Sequence, residues 1–186
     1  MDEKENTLVE MVLAGNPGAF ETLVKPYRRT LLGLSVRLLG NEEDAKEAAQ
    51  EALLKAYRYL KGFDRNQSFR NWLTRILVNS CRESSRHARR TLSLAESASV
   101  IEPAAGPAAR YQQKEFRSRL GECLAVLSER ERAVFVLRDL EERNIAETAG
   151  ILGVSSISVR VHLSRARTKI KEEILKRFPE IVGGSS

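Results

Sequence analysis

Cysteine is nearly absent from this chain. Two thiols, Cys81 and Cys123, in 186 residues make no disulfide framework, and with two histidines they form no zinc-ligand pattern. Breakers are scarce too. Eleven glycines and five prolines, about 9% of the residues, fall below the usual ~12%, which favours helices. No apolar run approaches the ~18 residues that a membrane span needs; Ala133 to Leu137, among the longest, has five. Met1-Asp2-Glu3-Lys4-Glu5 is acidic and no apolar signal core follows, so a cytoplasmic protein without membrane insertion is expected. The phosphate-cradling G-x-x-x-x-G-K-[ST], the dinucleotide G-x-G-x-x-G and the nucleophile G-x-S-x-G are all missing, which argues against nucleotide-binding or hydrolytic enzymes.

What is present is charge. Lysine and arginine number 31 against 25 acids, for a net +6, and charged residues reach 30% beside 42% hydrophobic ones. Such a composition permits packed cores, but thin ones, in small helical units with solvated faces.

Two helical blocks and a linker are expected. The first opens with Leu8, Val9, Val12 and Leu13 at helical spacing, then Gly15-Asn16-Pro17-Gly18 as punctuation. A second helix carries Phe20, Leu23, Val24 and Tyr27 and is expected to continue through Leu31, Leu34 and Leu38 to Gly40. Asn41 is a good N-cap, followed by Glu42, Glu43 and Asp44 at the positive end of the helix dipole. Ala45, Ala48, Ala49, Ala52, Leu53, Ala56, Tyr57 and Leu60 then trace an apolar stripe, its alanines implying close helix approach. Gly62 to Ser68 is a polar loop with one aromatic. Phe69 starts a helix with Trp72, Leu73, Ile76, Leu77 and Ser80 on one face, and from Arg65 to Arg90 seven arginines stand against one acid, Glu83. Thr91 to about Gln112 is rich in Ala, Ser, Gly and Pro and reads as a flexible linker. The second block has Leu120, Cys123, Leu124 and Leu127 in one stripe. Capping boxes follow at Ser128-Glu129-Arg130-Glu131 and Asn144-Ile145-Ala146-Glu147. After the turn at Gly153-Val154-Ser155, a last helix runs to about Phe178.

Three stretches carry chemistry. Residues 144–171 have the spacing of a helix-turn-helix, and from Thr148 through Ile170 no Asp or Glu occurs while Arg160, His162, Arg165, Arg167 and Lys169 do. A second helix of this kind meets base edges with its N-terminal part. Arg160 and Arg165 can take guanine bidentately. Arg167 and Lys169, further along, suit phosphates, and Ser155 and Ser156 with the free N–H groups of the helix start can hold one more. An ordinary solvated basic helix is the bland alternative. The aromatic-then-arginine stretch 63–90 suits single-stranded nucleic acid, with bases stacking on rings and cations following the backbone, although Phe69 and Trp72 share their stripe with core residues. The acidic helix 42–60 suits either a basic protein partner or water. Cys81 and His87, six residues apart, face different sides of a helix, so both thiols read as small structural residues.

Taken together these residues resemble a bacterial sigma factor of the extracytoplasmic-function group. The carriers are Ala14 to Phe20 with Tyr27; Asp44-Ala45 and Gln50 to Tyr57; Ser68 to Ile76 with Asn79; Leu127 to Arg130 with Val136-Leu137-Arg138; and Gly153-Val154, Val159-Arg160 and Arg165-Ala166-Arg167. The resemblance spans about Thr7 to Phe178. It implies an all-α protein of two small domains: sigma domain 2 over residues 1–90 and sigma domain 4, with the helix-turn-helix, over 113–186, joined by the linker 91–112. It further implies binding to core RNA polymerase through Glu47, Gln50, Glu51 and Leu54. The opened −10 strand would be held by Phe63, Asp64, Arg65, Asn66, Gln67 and Ser68, with Asn79, Arg82 and Arg86. The duplex −35 element would be read by Ser155, Ser156, Arg160, His162, Ser164, Arg165, Arg167 and Lys169. Control by an anti-sigma factor is expected, with no catalytic residue, metal, cofactor or small-molecule substrate. Two departures stand out: Glu142-Arg143-Asn144 where relatives often have Gly-Leu-Ser or Gly-Tyr-Ser, and Val161 and Ser164 where relatives often carry polar and larger residues. The runner-up is a helix-turn-helix regulator with an N-terminal ligand or dimerisation domain, whose dimer should bind a palindrome without polymerase; a structural adaptor or RNA-binding protein comes third and an enzyme last.

Overall fold

Asn41 stands ahead of three acids, and the fold uses it as a cap. In the computed structural model, which describes residues 3–92 and 118–178, its Oδ1 accepts the N–H groups of Glu43 and Asp44 at 2.8 and 3.3 Å. A cap of this kind is worth ~1 kcal/mol. The chain forms two compact units, Met1–Ser99 and Val100–Ser186. Among the described residues all regular structure is helical. The expected linker 91–112 lies outside the described residues after its first two, which end a helix.

The first unit holds α1 (Glu3–Leu13), α2 (Pro17–Val24), α3 (Arg28–Leu39), α4 (Glu42–Tyr59), a 3₁₀ turn (Leu60–Gly62) and α5 (Phe69–Leu92). On α4 it is Ala45, Ala48, Ala52 and Ala56 that are buried. Their small side chains let α3 and α5 lie close on either side. The buried Ser35 hydroxyl uses that closeness, donating across to the Ala45 carbonyl at 3.0 Å. On α5 the fully buried Phe69, Leu73 and Leu77 recur every four residues, with Cys81 next in line. Burial pushes the Cys81 thiol up to about 12, so it is protonated and inert at neutral pH.

Two expectations are corrected here. The helix expected from Phe20 through Leu38 is two helices, because Pro26 offers no N–H and its ring crowds the carbonyl four residues back. The chain turns at residues 25–27, with Tyr27 N–H on the Val24 carbonyl at 2.9 Å, and restarts at Arg28. Tyr57, expected in the buried stripe of α4, lies at its exposed edge, packed edge-on against Phe20 at 5.1 Å.

The second unit holds α6 (118–125), α7 (Glu129–Phe135), a π-helical turn (Val136–Leu140), α8 (Ile145–Leu152) and α9 (Ser156–Arg177). Both capping boxes form. Ser128 accepts from Glu131 N–H while Glu131 reaches back to Ser128 N–H, and Asn144 and Glu147 do the same. Past Phe135 the helix widens into a π-helical turn, and Glu141 N–H meets the Val136 carbonyl at 2.9 Å. Gly153 ends α8 at φ 65°. A Cβ there would meet nothing within 4 Å, so the need for glycine is conformational, a left-handed backbone that costs other residues about 1 kcal/mol. That turn delivers α9 across the core, with Val159, Leu163 and Ala166 buried.

Candidate nucleic-acid interface

Burying Val159, Leu163 and Ala166 fixes what α9 presents to water. At 3.6 residues per turn, the opposite face carries Ile157, Arg160, Val161, Ser164 and Arg165, all exposed. Ser155 caps the helix, its Oγ accepting Ser158 N–H at 3.1 Å, and half-buried Ser156 follows at the first helical position. Among the described residues neither Arg160 nor Arg165 has a carboxylate partner. Their charges therefore face solvent, on a face without an acid.

Arg167, Lys169 and His162 of that helix sit in different surroundings. Arg167 grips Asp139 with two parallel bonds, Nε and Nη2 at 2.8 and 2.7 Å. Lys169 donates to Glu131 at 2.7 Å. The two pairs fasten α9 to α7 and its π-helical extension. Lys169, with Ser128, holds the Glu131 carboxyl down to about 2. His162 sits at the edge of the core, half-buried, its Nδ1 shielded and without a hydrogen-bond partner, and is not on the exposed face. An apolar trough of about 240 Å³ between Phe135, Ile170, Ile174 and Leu175 went unmarked in the sequence. The i, i+4 pair Ile170 and Ile174 was its available signal.

In the first unit the polar loop hangs on an aromatic cluster. Phe63 is 7% exposed, packed 4.9 Å from Trp72 and 5.5 Å from Phe69 between ring centroids. It anchors the loop, while Trp72, half-buried, keeps the more accessible ring. Asp64, Arg65, Asn66, Gln67 and Ser68 are all exposed. Asp64 accepts Asn66 N–H at 2.9 Å and Gln67 Nε2 at 3.2 Å; the first bond holds its carboxyl below the usual carboxylate range. Ser68 caps α5, taking Asn71 N–H at 3.3 Å, a role the sequence reading missed although a serine just before an apolar stripe signals it. Arg65 is held by Glu10 of α1 at 2.5 Å. Along α5, Arg75, Asn79, Arg82 and Arg86 recur at helical spacing, with Arg82 half-buried and the others exposed. The stretch's single acid, Glu83, is tied to Lys55 of α4 at 2.5 Å.

On α4, opposite the buried alanines, Glu47, Gln50 and Leu54 are exposed and Glu51 half-exposed, one strip at i, i+3, i+4 and i+7. Leu54 keeps 46% of its surface in water, a large apolar residue among carboxylates. Glu51 leans to Lys55 at 3.8 Å.

Family models match both units: "Sigma-70 region 2" over residues 23–91 and "Sigma-70, region 4" over residues 117–170. The ECF RNA polymerase sigma factor SigM of Mycobacterium tuberculosis is 31% identical over 169 residues, covering 90% of this chain and 84% of SigM. This chain belongs to the ECF sigma factor family. The ECF sigma factor SigG of Mycobacterium tuberculosis is 32% identical across 83% of this chain, which spans only 48% of that relative's length. Among solved structures, CnrH in complex with the cytosolic domain of CnrY matches with a TM-score of 0.69 at 26% identity, covering 94% of this chain and 99% of CnrH. Within the ECF sigma factor frame, the region 2 match takes in the α4 strip, the 63–68 loop and α5, and the region 4 match takes in the turn at Gly153 and α9 to Ile170.

Proposed function

We propose that the chain is a cytoplasmic transcription initiation factor that acts by binding and catalyses nothing itself. It joins core RNA polymerase through Glu47, Gln50, Glu51 and Leu54. It directs that enzyme to promoters by reading the −35 duplex with Arg160, Ser164 and Arg165, and it holds the opened −10 strand on the 63–68 loop with Asn79, Arg82 and Arg86. The observation that carries the reading is the exposed face of α9: two arginines without carboxylate partners on a capped helix that follows a left-handed glycine turn, with no acid from Thr148 through Ile170. Flipping a base out of the duplex costs a few kcal/mol, less where strands are already opening; the polar loop over an aromatic anchor suits that capture. Two weak DNA sites gain by effective concentration when the polymerase fixes their separation. A protein inhibitor fits the same frame, since the similar CnrH was solved bound to the cytosolic domain of a second protein.

Run-off transcription with purified core polymerase on a genomic library tests this directly. Discrete, chain-dependent transcripts are expected. Tight palindrome binding by the chain alone, with no chain-dependent transcript, would instead favour the dimeric regulator.

A further inference from the structure

Two exposed apolar side chains of α9 lie on its reading face. Ile157 is 71% and Val161 43% exposed, and they stand one helical turn apart on either side of Arg160. Folding gains little from them: neither belongs to the buried core, and β-branched residues are poorer helix formers than the alanine, lysine or glutamate that such sites usually hold. An apolar pair in that position has value only against an apolar surface. In a DNA major groove just one base presents one, the C5-methyl of thymine.

Resting on the promoter reading above, we propose that Ile157 and Val161 are specificity-determining residues that each seat on a thymine methyl, with Arg160 between them on the guanine. One turn of helix advances about 6 Å against about 3.4 Å per base step, so the two methyls belong within one or two base pairs of each other. A protein partner would also accept apolar side chains. Duplex DNA is favoured because Arg160 and Arg165 flank the pair and no acid shares the face, a charge pattern complementary to phosphate.

The test uses holoenzyme assembled from the full chain and core polymerase. A duplex enriched from a randomised library is remade with each thymine in turn replaced by deoxyuridine, which removes the methyl and keeps every hydrogen-bonding group. Two replacements are expected to weaken wild-type binding by about three- to fivefold each, the value of one buried methyl. Ile157→Ala is expected to erase the effect at one of those positions and Val161→Ala at the other. Both sites are solvent-facing, and alanine is the better helix former, so folding is preserved. An enriched element without thymine, equal affinity for thymine and uracil, or methyl effects that persist in both variants overturns the inference. In each of those cases a tenfold or larger loss with Arg160→Ala shows that the promoter reading itself stands. If no sequence is enriched at all, the inference and that reading fall together.

Discussion

Helices α5 and α9 are both basic, yet their ion pairs are arranged in opposite ways. Over residues 156–170 of α9 the acids come from outside: Asp139 and Glu131 draw Arg167 and Lys169 inward, and Arg160 and Arg165 have no carboxylate partner among the described residues. In α5 the acid is the helix's own, and Lys55 of α4 pairs with it. Counting arginines would rank α5 above α9. Partnering shows that what matters is which cations have a carboxylate within reach, since a paired cation must give up that bond before it can meet a phosphate.

The comparison also separates the supports under the two faces, and substitutions can break them one at a time. The largest effect is expected at Phe69, fully buried beneath the 63–68 loop. Phe69→Ala should cost the first unit about 3–5 kcal/mol, read as an early denaturant transition in the fluorescence of Trp72, the only tryptophan. A midpoint unchanged from wild type would mean that the aromatic cluster does not hold the loop.

Next comes the reading face itself. Arg165→Ala should weaken holoenzyme binding to its promoter duplex by about tenfold, within the ~1–3 kcal/mol of one bidentate base contact, while polymerase association stays intact; a filter-binding titration decides. Arg167→Ala should leave the salt dependence of binding nearly unchanged, because that arginine is engaged with Asp139. A salt slope lowered by a full unit would return it to the phosphates.

A smaller effect, about 1–2 kcal/mol, is expected from Glu131→Gln, which weakens a capping box and the tie to Lys169 together. The pH dependence has a definite sign. Glu131 is held at about 2 in the folded chain against an ordinary 4.5. Its contribution is therefore complete above pH 4.5 and is lost as pH falls from 4.5 toward 2. The wild-type second unit should lose stability over that window and the glutamine variant should lose less, as read by hydrogen exchange of α7 and α9 amides.

Smallest of all is Glu10→Gln. The Glu10–Arg65 pair is exposed and contributes under about 1 kcal/mol to folding. Releasing Arg65 should nonetheless raise holoenzyme affinity for −10 single-stranded DNA slightly, and only at low salt. An effect that survives at high salt would point to a change of loop shape instead.

Much of this was readable from spacing. Both capping boxes, the Asn41 cap, the alanine face of α4 and the stops at Gly40 and Gly153 are local. Each depends on groups within four residues, so sequence order carries them. The break at Pro26 was readable as well, from one missing N–H, but the apolar periodicity running through it hid the stop. The site residues divide along the same line. Exposure of Arg160, Ser164 and Arg165 follows from the period of α9 once its buried face is known. The partners of Arg167, Lys169, Arg65 and Glu83 do not, because they lie 28, 38, 55 and 28 residues away.

By itself, the order of residues determined where helices begin and end, which stripe of each is apolar, and that the chain is cationic on its last long helix. Those properties come from backbone hydrogen bonding and side-chain period, which act over one turn. Only tertiary packing decided that Phe63 is an anchor, that His162 is half-buried, and that Arg167 and Lys169 fasten α9 while Arg160 and Arg165 have no carboxylate partner among the described residues. Coulombic and ring contacts depend on distance through space, and folding alone brings those groups within bonding range.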